Sequence, residues 1–330
     1  MSNPALDRAM LGALLSAHST PGDEGEVFAL LGAAWRAAGW KVSEHGAYAI
    51  SARLPGSSRA RRKTLLVAAH ADSPGFIVDG LPKRGGCHIV TLGGPRIAGK
   101  AKSAPGVLKT RKGKFPVTVS RCSDTDEWRC SWSASAAPSG VALGDRVCFA
   151  AEPRFDGDTV KSPFLDNRLG CWLLAGIALA AKEWKPRFDI VLGATSNEEF
   201  TGFGAAVLAR QVAPDAVIAL DATYENKEQG VRLGGGPVLT LSDASVVLSP
   251  ARRDFVSALL ASAGIHLQTE VYNFSGTDAR AFPRAGLPCE VLPLLLPTRG
   301  NHSPEEIADL RDVAALIEAI RVISRESCGF

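Results

Sequence analysis

The sequence predicts an α/β fold in which helices sandwich a largely parallel sheet. Four short, apolar segments rich in β-branched residues are typical of buried strands, at 64–69, 188–195, 216–220 and 289–297. Segments with helical periodicity lie between or beside them, at 26–40, 167–184, 204–212, 251–264 and 305–324. The alternation of the two patterns indicates helices packed on both faces of one sheet.

Residues 77–156 follow a different pattern. Short strand-like pieces such as "KFPVTVSRC" and "DRVCFAAE" alternate with Gly, Pro and Ser, and no helical period is visible. This pattern predicts a small antiparallel, barrel-like β domain inserted into the α/β domain. The predicted organisation is therefore a discontinuous α/β domain, 1–76 plus 157–330, with an inserted β domain at 77–156.

Composition and charge exclude several classes of protein. The 330-residue chain is 46% hydrophobic and 22% charged, which is typical of a globular protein. Its formal net charge of +3 is too small to predict a nucleic-acid or membrane-surface partner. The one basic cluster, at 57–63, is more typical of a solvated loop before a strand.

Cysteine usage and hydropathy predict a soluble, cytoplasmic protein. Seven cysteines are scattered without a CxxC pair, as expected for reduced thiols. The N-terminal residues predict an amphipathic helix and not a signal sequence, because Leu6, Met10, Leu14 and Leu15 share one helical face. The longest apolar stretch, 170–181, is shorter than the ~20 residues that a membrane span needs.

Acidic and imidazole side chains follow each of the four predicted strands. Ligands of open α/β sheets gather at the carboxyl ends of the strands, so these side chains can converge there. They are His70 and Asp72 after the first strand, Glu198 and Glu199 after the second, Asp221 after the third and His302 after the fourth; Asp166 precedes a helix.

Each position alone has an ordinary explanation. His70 is typical of a core histidine, Asp166 of a helix N-cap, Asp221 of a turn, and His302 of a cap on a helix near Pro304. Their coincidence at one sheet edge instead favours a metal site. Two His, two Asp and one Glu match the nitrogen and oxygen ligands of a divalent transition-metal pair. Such a pair needs one bridging carboxylate, which gives each ion three protein contacts.

The adjacent glutamates fit the same hypothesis. Side chains of neighbouring residues point apart on an extended chain, so one glutamate can ligate an ion while the other faces the substrate. The second then serves as a general base for the attacking water. The charge of the nearby ions would offset the repulsion between the two carboxylates.

At these residues the sequence resembles metallopeptidase family 42, the tetrahedral or glutamyl aminopeptidases once labelled cellulase M, with echoes of the family 18 aminopeptidases. The similarity runs over nearly the full length. The matching stretches include "AAHADSPGF", "SPFLDNRLGC", "NEEFTGFGA", "ALDAT", "SGTDARA" and "AGLPCEVLPLLLPTRGNHSPEE". The chain departs from the family pattern at Ala71, at Asn167, and where Phe200 and Thr201 delay the glycine after the glutamate pair.

The resemblance implies a zinc-peptidase-like fold and a site for two divalent ions, Zn or Co. It places His70, Asp166 and Asp221 on one ion and Asp166, Glu199 and His302 on the other. It also implies Glu198 as the general base, Asp72 as the residue that orients His70, and Thr277 and Asp278 as candidate substrate-pocket residues.

The resemblance further implies a partner and an assembly. The substrates would be short peptides that lose their N-terminal residues. Family 42 members form a closed tetrahedral dodecamer, so a homo-oligomer is expected here. The shorter inserted domain leaves a smaller assembly, such as a dimer, as an alternative. The insert carries Trp128 and Trp132, which suit either an interface or the core of the insert.

The sequence supports three other functions less well than an aminopeptidase. A family 20-like carboxypeptidase or deacylase uses a similar ligand order, but it has a short gap where 96 residues separate His70 from Asp166 here. A glycosidase needs two carboxylates about 5–9.5 Å apart across a bond, for which adjacent glutamates are poorly placed. A non-catalytic scaffold relative would have no need of the complete ligand set together with the base.

Overall fold

The computed structural model describes residues 6–56, 63–83, 85–97, 102–122 and 125–326. Within these ranges it confirms the predicted α/β class, with a mixed eleven-stranded sheet, flanking helices and a closed six-stranded antiparallel barrel. Most of the basic cluster predicted as a loop, residues 57–62, lies outside the described residues.

The described strands, in chain order, are β1 (Lys41–Glu44), β2 (Ala49–Leu54), β3 (Thr64–His70), β4 (Gly75–Val78), β5 (Gly86–Leu92), β6 (Ser103–Thr110), β7 (Gly113–Arg121), β8 (Trp128–Ser131), β9 (Arg146–Phe149), β10 (Arg154–Asp156), β11 (Thr159–Ser162), β12 (Asp189–Thr195), β13 (Ala216–Tyr224), β14 (Val238–Asp243), β15 (Gln268–Tyr272), β16 (Glu290–Arg299) and β17 (Glu306–Asp309).

The described helices are α1 (Arg8–Ser16), α2 (Gly25–Ala37), α3 (Leu165–Trp184), α4 (Phe203–Val212), α5 (Pro250–Ser262), α6 (Ala281–Arg284) and α7 (Leu310–Arg325), with 3₁₀ turns at Ala134–Ala136 and Asp278–Arg280. None of these helices combines the length and the apolar character that crossing a bilayer would require.

The four predicted strands form the centre of the large sheet, in the order β12, β3, β13 and β16. All three pairings between them are parallel, so their carboxyl ends lie along one edge. Apolar side chains on both faces are covered by helices, chiefly the buried α3 and α7 on one side and α4 on the other. The burial of both faces is why these strands are continuous apolar runs in the sequence.

The barrel closes in the order β4, β5, β8, β7, β6 and β9, and it begins five residues after His70. The Phe76 ring packs against Trp128, with 4.7 Å between ring centroids, and against Phe149, at 5.8 Å. Trp128 is therefore a residue of the barrel core, and it is 8% exposed. Strand β10 pairs with β11 in the large sheet. The predicted domain boundaries at 76/77 and 156/157 stay a prediction.

One predicted helix begins later than its sequence pattern indicates. Residues 306–309 of the predicted helix 305–324 form strand β17, which pairs antiparallel with β11 and β16. The helix starts at Leu310, where the Asp309 side chain caps it by accepting a hydrogen bond from the Arg311 amide. His302 consequently does not cap a helix near Pro304, and it lies in a turn with φ of 68°.

A buried arginine connects α3 to the loop that follows β3. Arg168 is 1% exposed, and its guanidinium donates to the carbonyl oxygens of Leu14 and Ala71 and to the Ser73 hydroxyl, at 3.2, 2.5 and 3.1 Å. A buried charge is tolerated only where such acceptors surround it. Arg168 thereby fixes the loop next to His70.

We expect Arg168→Ala to lower the free energy of unfolding by roughly 2–5 kcal/mol, because it leaves a cavity and removes the donor from buried acceptors. The exposed barrel residue Arg129 provides the control, since Arg129→Ala should change the free energy of unfolding by about 0.5 kcal/mol or less. Urea unfolding monitored by circular dichroism measures both. Equal losses in the two variants would contradict the assigned role of Arg168.

Candidate metal centre

The predicted side chains meet at the carboxyl edge of the parallel strands. His70 is the last residue of β3, and Asp221 lies in β13 one position beyond the Leu220–Ala69 pair of the register. Thr195, the last residue of β12, pairs with His70, and the glutamate pair follows it closely. His302 comes three residues after β16 ends. The edge thus collects residues that are far apart in sequence.

These residues form two groups that share Asp166. One group contains His70, Asp166 and Asp221, the other Asp166, Glu199 and His302, and the potential ligand atoms of each group lie within 4.8 Å of one another. Asp166 Oδ1 is 3.3 Å from His70 Nε2, whereas its Oδ2 is 3.4 Å from His302 Nε2. The two oxygens of one carboxylate therefore face two different imidazoles, as a bridging ligand requires.

The donor set fits divalent cations. Among the described residues, the buried oxygens Asp166 Oδ1 and Glu199 Oε1 accept no hydrogen bond. Both are 3.3 Å from an imidazole nitrogen, of His70 and His302 respectively. Buried carboxylate oxygens are costly unless they are hydrogen-bonded, paired or bound to a metal ion. Histidine nitrogen and carboxylate oxygen are ligands that suit Zn²⁺ and neighbouring transition metals.

The electrostatics of the cluster are dominated by crowded carboxylates. Burial, together with neighbouring carboxylates, raises the pKa of Glu198 and Glu199 well above 4.5. Burial raises the pKa of Asp221 to about 6. Burial alone would lower the pKa of His70, but Asp221 and the other nearby carboxylates outweigh it and hold this pKa well above 6.5. Cations bound there would favour the ionised carboxylates and the neutral imidazoles, which are the forms that ligate a metal ion.

The Glu306 carboxylate, which was not identified from the sequence, fixes the main chain around Asp166. Glu306 is 1% exposed, and its oxygens accept the amides of Asp166 and His302, at 2.9 and 2.7 Å. It thereby holds the backbone of two candidate ligands at once. Glu306 lies in "NHSPEE", four residues after His302, and this closeness could have indicated the contact. The predicted helix 305–324 assigned Glu306 to a helix instead.

The departure at Asn167 also has a structural reason. The Asn167 side-chain amide donates to the Leu220 carbonyl at 2.8 Å, and its oxygen accepts the Gly170 amide at 3.0 Å. An ionised aspartate has no hydrogen with which to reach Leu220. Asn167 therefore ties the Asp166 segment to the strand that carries Asp221.

Asp72 lies beside His70 and also contacts the glutamate pair. The His70 Nδ1 atom lies 3.1 Å from the Asp72 carbonyl oxygen and 3.6 Å from its carboxylate. The Asp72 carboxylate also accepts the amides of Glu198 and Glu199, at 3.0 and 3.1 Å, which the sequence did not predict. It is fully buried and fixes the backbone of the glutamate pair.

The two glutamates lie in a turn. The prediction that their side chains point apart because they lie on an extended chain is therefore wrong. The strand ends at Thr195, and residues 198–201 form the turn. The side chains nevertheless separate, because Glu199 lies beside His302 while Glu198 Oε1 accepts a hydrogen bond from Arg280 Nη2 at 3.2 Å. Arg280 was not identified from the sequence, although it lies within "SGTDARA".

The cluster opens into a pocket whose lining includes Glu198, Glu199 and Thr277. Thr277 also caps the following 3₁₀ turn through the Ala279 amide. Asp278 is not among the lining residues; it is 4% exposed and accepts a hydrogen bond from the Thr195 hydroxyl. The two candidate substrate residues are therefore in different surroundings.

The fold and the site define an α/β protein of the metallopeptidase kind, with a barrel inserted beside a candidate metal centre. The model of the M42 glutamyl aminopeptidase family matches residues 128–318, which is more than half of the chain. The chain belongs to the M42 aminopeptidase family, as the sequence resemblance indicated.

Individual relatives agree with this assignment. The lysyl aminopeptidase of Pyrococcus furiosus is 28% identical over 288 residues, covering 79% of this chain and 81% of the relative. The TET aminopeptidase of a marine-sediment Thaumarchaeota archaeon superposes with a TM-score of 0.88 at 23% identity, over 97% and 96% of the two chains. For the TET1 peptidase of Pyrococcus horikoshii, described as assembling into a tetrahedron or an octahedral shell, the TM-score is 0.84 at 21% identity, over 97% and 99%. The structural likenesses show a shared fold.

We expect Asp166→Asn to weaken the binding of both ions, because both ligand groups contain Asp166. Asp221→Asn and Glu199→Gln should each weaken the binding of one. Isothermal titration calorimetry of the chelator-treated protein with Zn²⁺ gives the stoichiometry, with the exposed Asp158→Asn as the control. Retention of both binding events in Asp166→Asn would contradict the shared-carboxylate arrangement.

Proposed function

We propose that the protein is a two-metal aminopeptidase that removes N-terminal residues from short peptides. The observation that carries this proposal is the Asp166 carboxylate, whose two oxygens face His70 and His302 in two ligand groups beside the unligated Glu198. Membership of the M42 family supports the same activity. Zn²⁺ or Co²⁺ suits the proposed nitrogen and oxygen ligands.

Divalent ions bound there would polarise the scissile carbonyl and make a water more acidic. In this proposal Glu198 accepts a proton from the attacking water and returns it to the leaving amine. Its carboxyl group belongs to neither ligand group, and it lines the pocket. Asp72 holds its backbone and Arg280 holds one of its oxygens, so the remaining oxygen can face the reacting water.

Two alternatives remain testable. A family 20-like carboxypeptidase or deacylase would use a similar metal pair, but the family match favours an aminopeptidase. A non-catalytic scaffold relative would also keep the fold, but it would not need a buried, unligated Glu198 on the pocket wall.

We expect Glu198→Gln to bind both ions but to lower turnover of an aminoacyl chromogenic substrate by roughly two to four orders of magnitude, the scale of a lost general base. Glu199→Gln is the matched control, since the neighbouring carboxylate should instead lose one ion. Elemental analysis and steady-state kinetics together separate the two effects. Metal loss in Glu198→Gln with retention in Glu199→Gln would reverse the two assignments.

The same assay distinguishes the competing functions. Chelation should abolish cleavage, and Zn²⁺ or Co²⁺ should restore it. N-acetylation of the peptide should block cleavage, because an aminopeptidase requires a free N-terminal amine. Equal hydrolysis of acetylated and free peptides would favour a deacylase, and no hydrolysis of any peptide by the metal-loaded protein would favour the scaffold.

We also propose a cytoplasmic homo-oligomer. None of the six described cysteines forms a disulfide, which fits a reducing compartment. Large apolar side chains are exposed on the monomer, including Phe274 at 92%, Val247 at 77% and Phe200 at 61%. Exposed apolar surface is a common mark of protein contacts. A solved structure of the PhTET1 peptidase that is described as a dodecamer supports a dodecamer here.

We expect multi-angle light scattering at micromolar concentration to give a mass that is a multiple of 34.7 kDa. A dodecamer and a dimer differ sixfold in mass, so one measurement separates them. A Phe274→Asp variant should dissociate the assembly if that side chain is in the interface, with Glu318→Gln as a surface control. A monomeric mass for the wild-type protein would refute the proposal.

A further inference from the structure

The pocket extends beyond the metal-site residues to a wall made by β13, β14 and β15. The residues of this wall are Thr223, Tyr224, Thr240, Asp243, Glu270 and Tyr272. Two of them are carboxylates, and none belongs to either candidate ligand group. The carboxylates of this wall, Asp243 and Glu270, are therefore available for a role other than metal binding.

Glu270 is a buried carboxylate with unfilled acceptor capacity. It is 4% exposed, and its two oxygens accept the hydroxyls of Thr223 and Thr240, at 2.6 and 2.7 Å. An ionised carboxylate offers about four acceptor positions, so roughly two remain. Among the described residues, no lysine, arginine or histidine pairs with Glu270.

Asp243 presents a second carboxylate to the same pocket. Its Oδ1 accepts the amides of Ser245 and Val246, at 2.7 and 2.8 Å, which fixes the side chain. Its Oδ2 is buried and has no hydrogen-bond partner within the described chain, and the residue is 9% exposed. An orphaned, buried carboxylate oxygen on a pocket wall is suited to a cationic ligand.

Two arginines lie near this wall, and their hydrogen bonds go to groups other than its two carboxylates. Arg280 donates to Glu198, and Arg96 donates to the Asn301 carbonyl while its guanidinium lies over the Tyr224 ring, 5.6 Å from the centroid. Neither arginine lines the pocket. The charge of Arg280 acts on Asp243, but neither arginine forms an ion pair with Asp243 or Glu270. Both carboxylates can therefore pair with a cation that a substrate brings.

The spacing along β13 sets the distance between the two ends of the pocket. Asp221 and Thr223 are two residues apart, so their side chains face the same side of the strand, about 6.6 Å from each other. Thr223 in turn holds Glu270. The four-carbon stem of a lysine spans a comparable distance. Tyr224 and Tyr272, whose rings are 5.8 Å apart, add apolar wall along that path.

We propose that this pocket selects peptides whose N-terminal residue is lysine or arginine, with the cationic side chain bound by Glu270 and Asp243. The proposal rests on the aminopeptidase function proposed above. An N-terminal glutamyl side chain would be repelled by the same carboxylates, so the preference differs from the one in the family's name. Burial raises the pKa of both carboxyl groups, and a bound ammonium group would favour their ionised forms.

The first test compares lysyl and norleucyl p-nitroanilides, which share the stem and differ in the ammonium group. We expect kcat/KM to be about 10- to 100-fold higher for the lysyl substrate, the scale of charge-assisted hydrogen bonds, and to be lowest for the glutamyl substrate. Glu270→Gln and Asp243→Asn should each bring the lysyl-to-norleucyl ratio toward one. The surface variant Glu318→Gln should leave it unchanged.

Binding measurements distinguish a loss of side-chain recognition by the pocket from a loss of catalysis. Calorimetry of lysinamide and norleucinamide with metal-loaded Glu198→Gln measures the preference without turnover, and Glu270→Gln in that background should abolish it. If no substrate is cleaved but lysinamide still binds preferentially, the proposed function fails and the cation pocket stands. Equal binding of the two amides, or a wild-type preference for norleucyl or glutamyl substrates, would overturn the pocket. Should Glu270→Gln not fold, Asp243→Asn decides, because the asparagine oxygen can still accept both amides.

Discussion

The crowding of carboxylates around one buried histidine governs the rest of this site. Asp72, Asp166, Glu198 and Asp221 all lie close to His70, in surroundings with little water. Such a group of like charges cannot all be ionised unless cations accompany it. Protons can serve this purpose, as the raised pKa values of Glu198 and Asp221 indicate, and divalent ions serve it with fixed geometry. Ions bound at this cluster would therefore also stabilise the fold, since a ligand that binds only the folded chain stabilises it.

The neighbouring network keeps this charge in place by satisfying the backbone. Asp72 accepts the amides of the glutamate pair, and Glu306 accepts those of Asp166 and His302. These carboxylates lie outside both candidate ligand groups, yet each fixes the main chain of residues that belong to them. A site built in this way is positioned by backbone amides that donate to buried carboxylates, which orient the segments that carry the candidate ligands.

The sequence predicted the parts of this structure that follow from periodicity. The continuous apolar runs of β3, β12, β13 and β16 can be buried only on both faces, so the edge where His70 and Asp221 converge was predictable. Strand β17 was missed because Glu306–Asp309 merges into the helical period of α7. The turn at Glu198 and the Asp72 contact were also missed, because both depend on hydrogen bonds between segments over 120 residues apart. Arg280 acts through a contact that no local pattern encodes, whereas the signal for Glu306 in "NHSPEE" was overridden by the helical period.

Asn167 has a consequence for how the two ligand groups relate to each other. Its side chain joins the start of α3, which carries Asp166, to the strand that carries Asp221, through the Leu220 carbonyl. The separation between the two groups is thus set by covalent backbone and one amide, and not by long flexible side chains. This frame is built from protein atoms alone, so in the proposed two-metal site it would favour ions whose radius matches the separation that the backbone sets. The distance between the two ligand groups would then select the metal by its ionic radius.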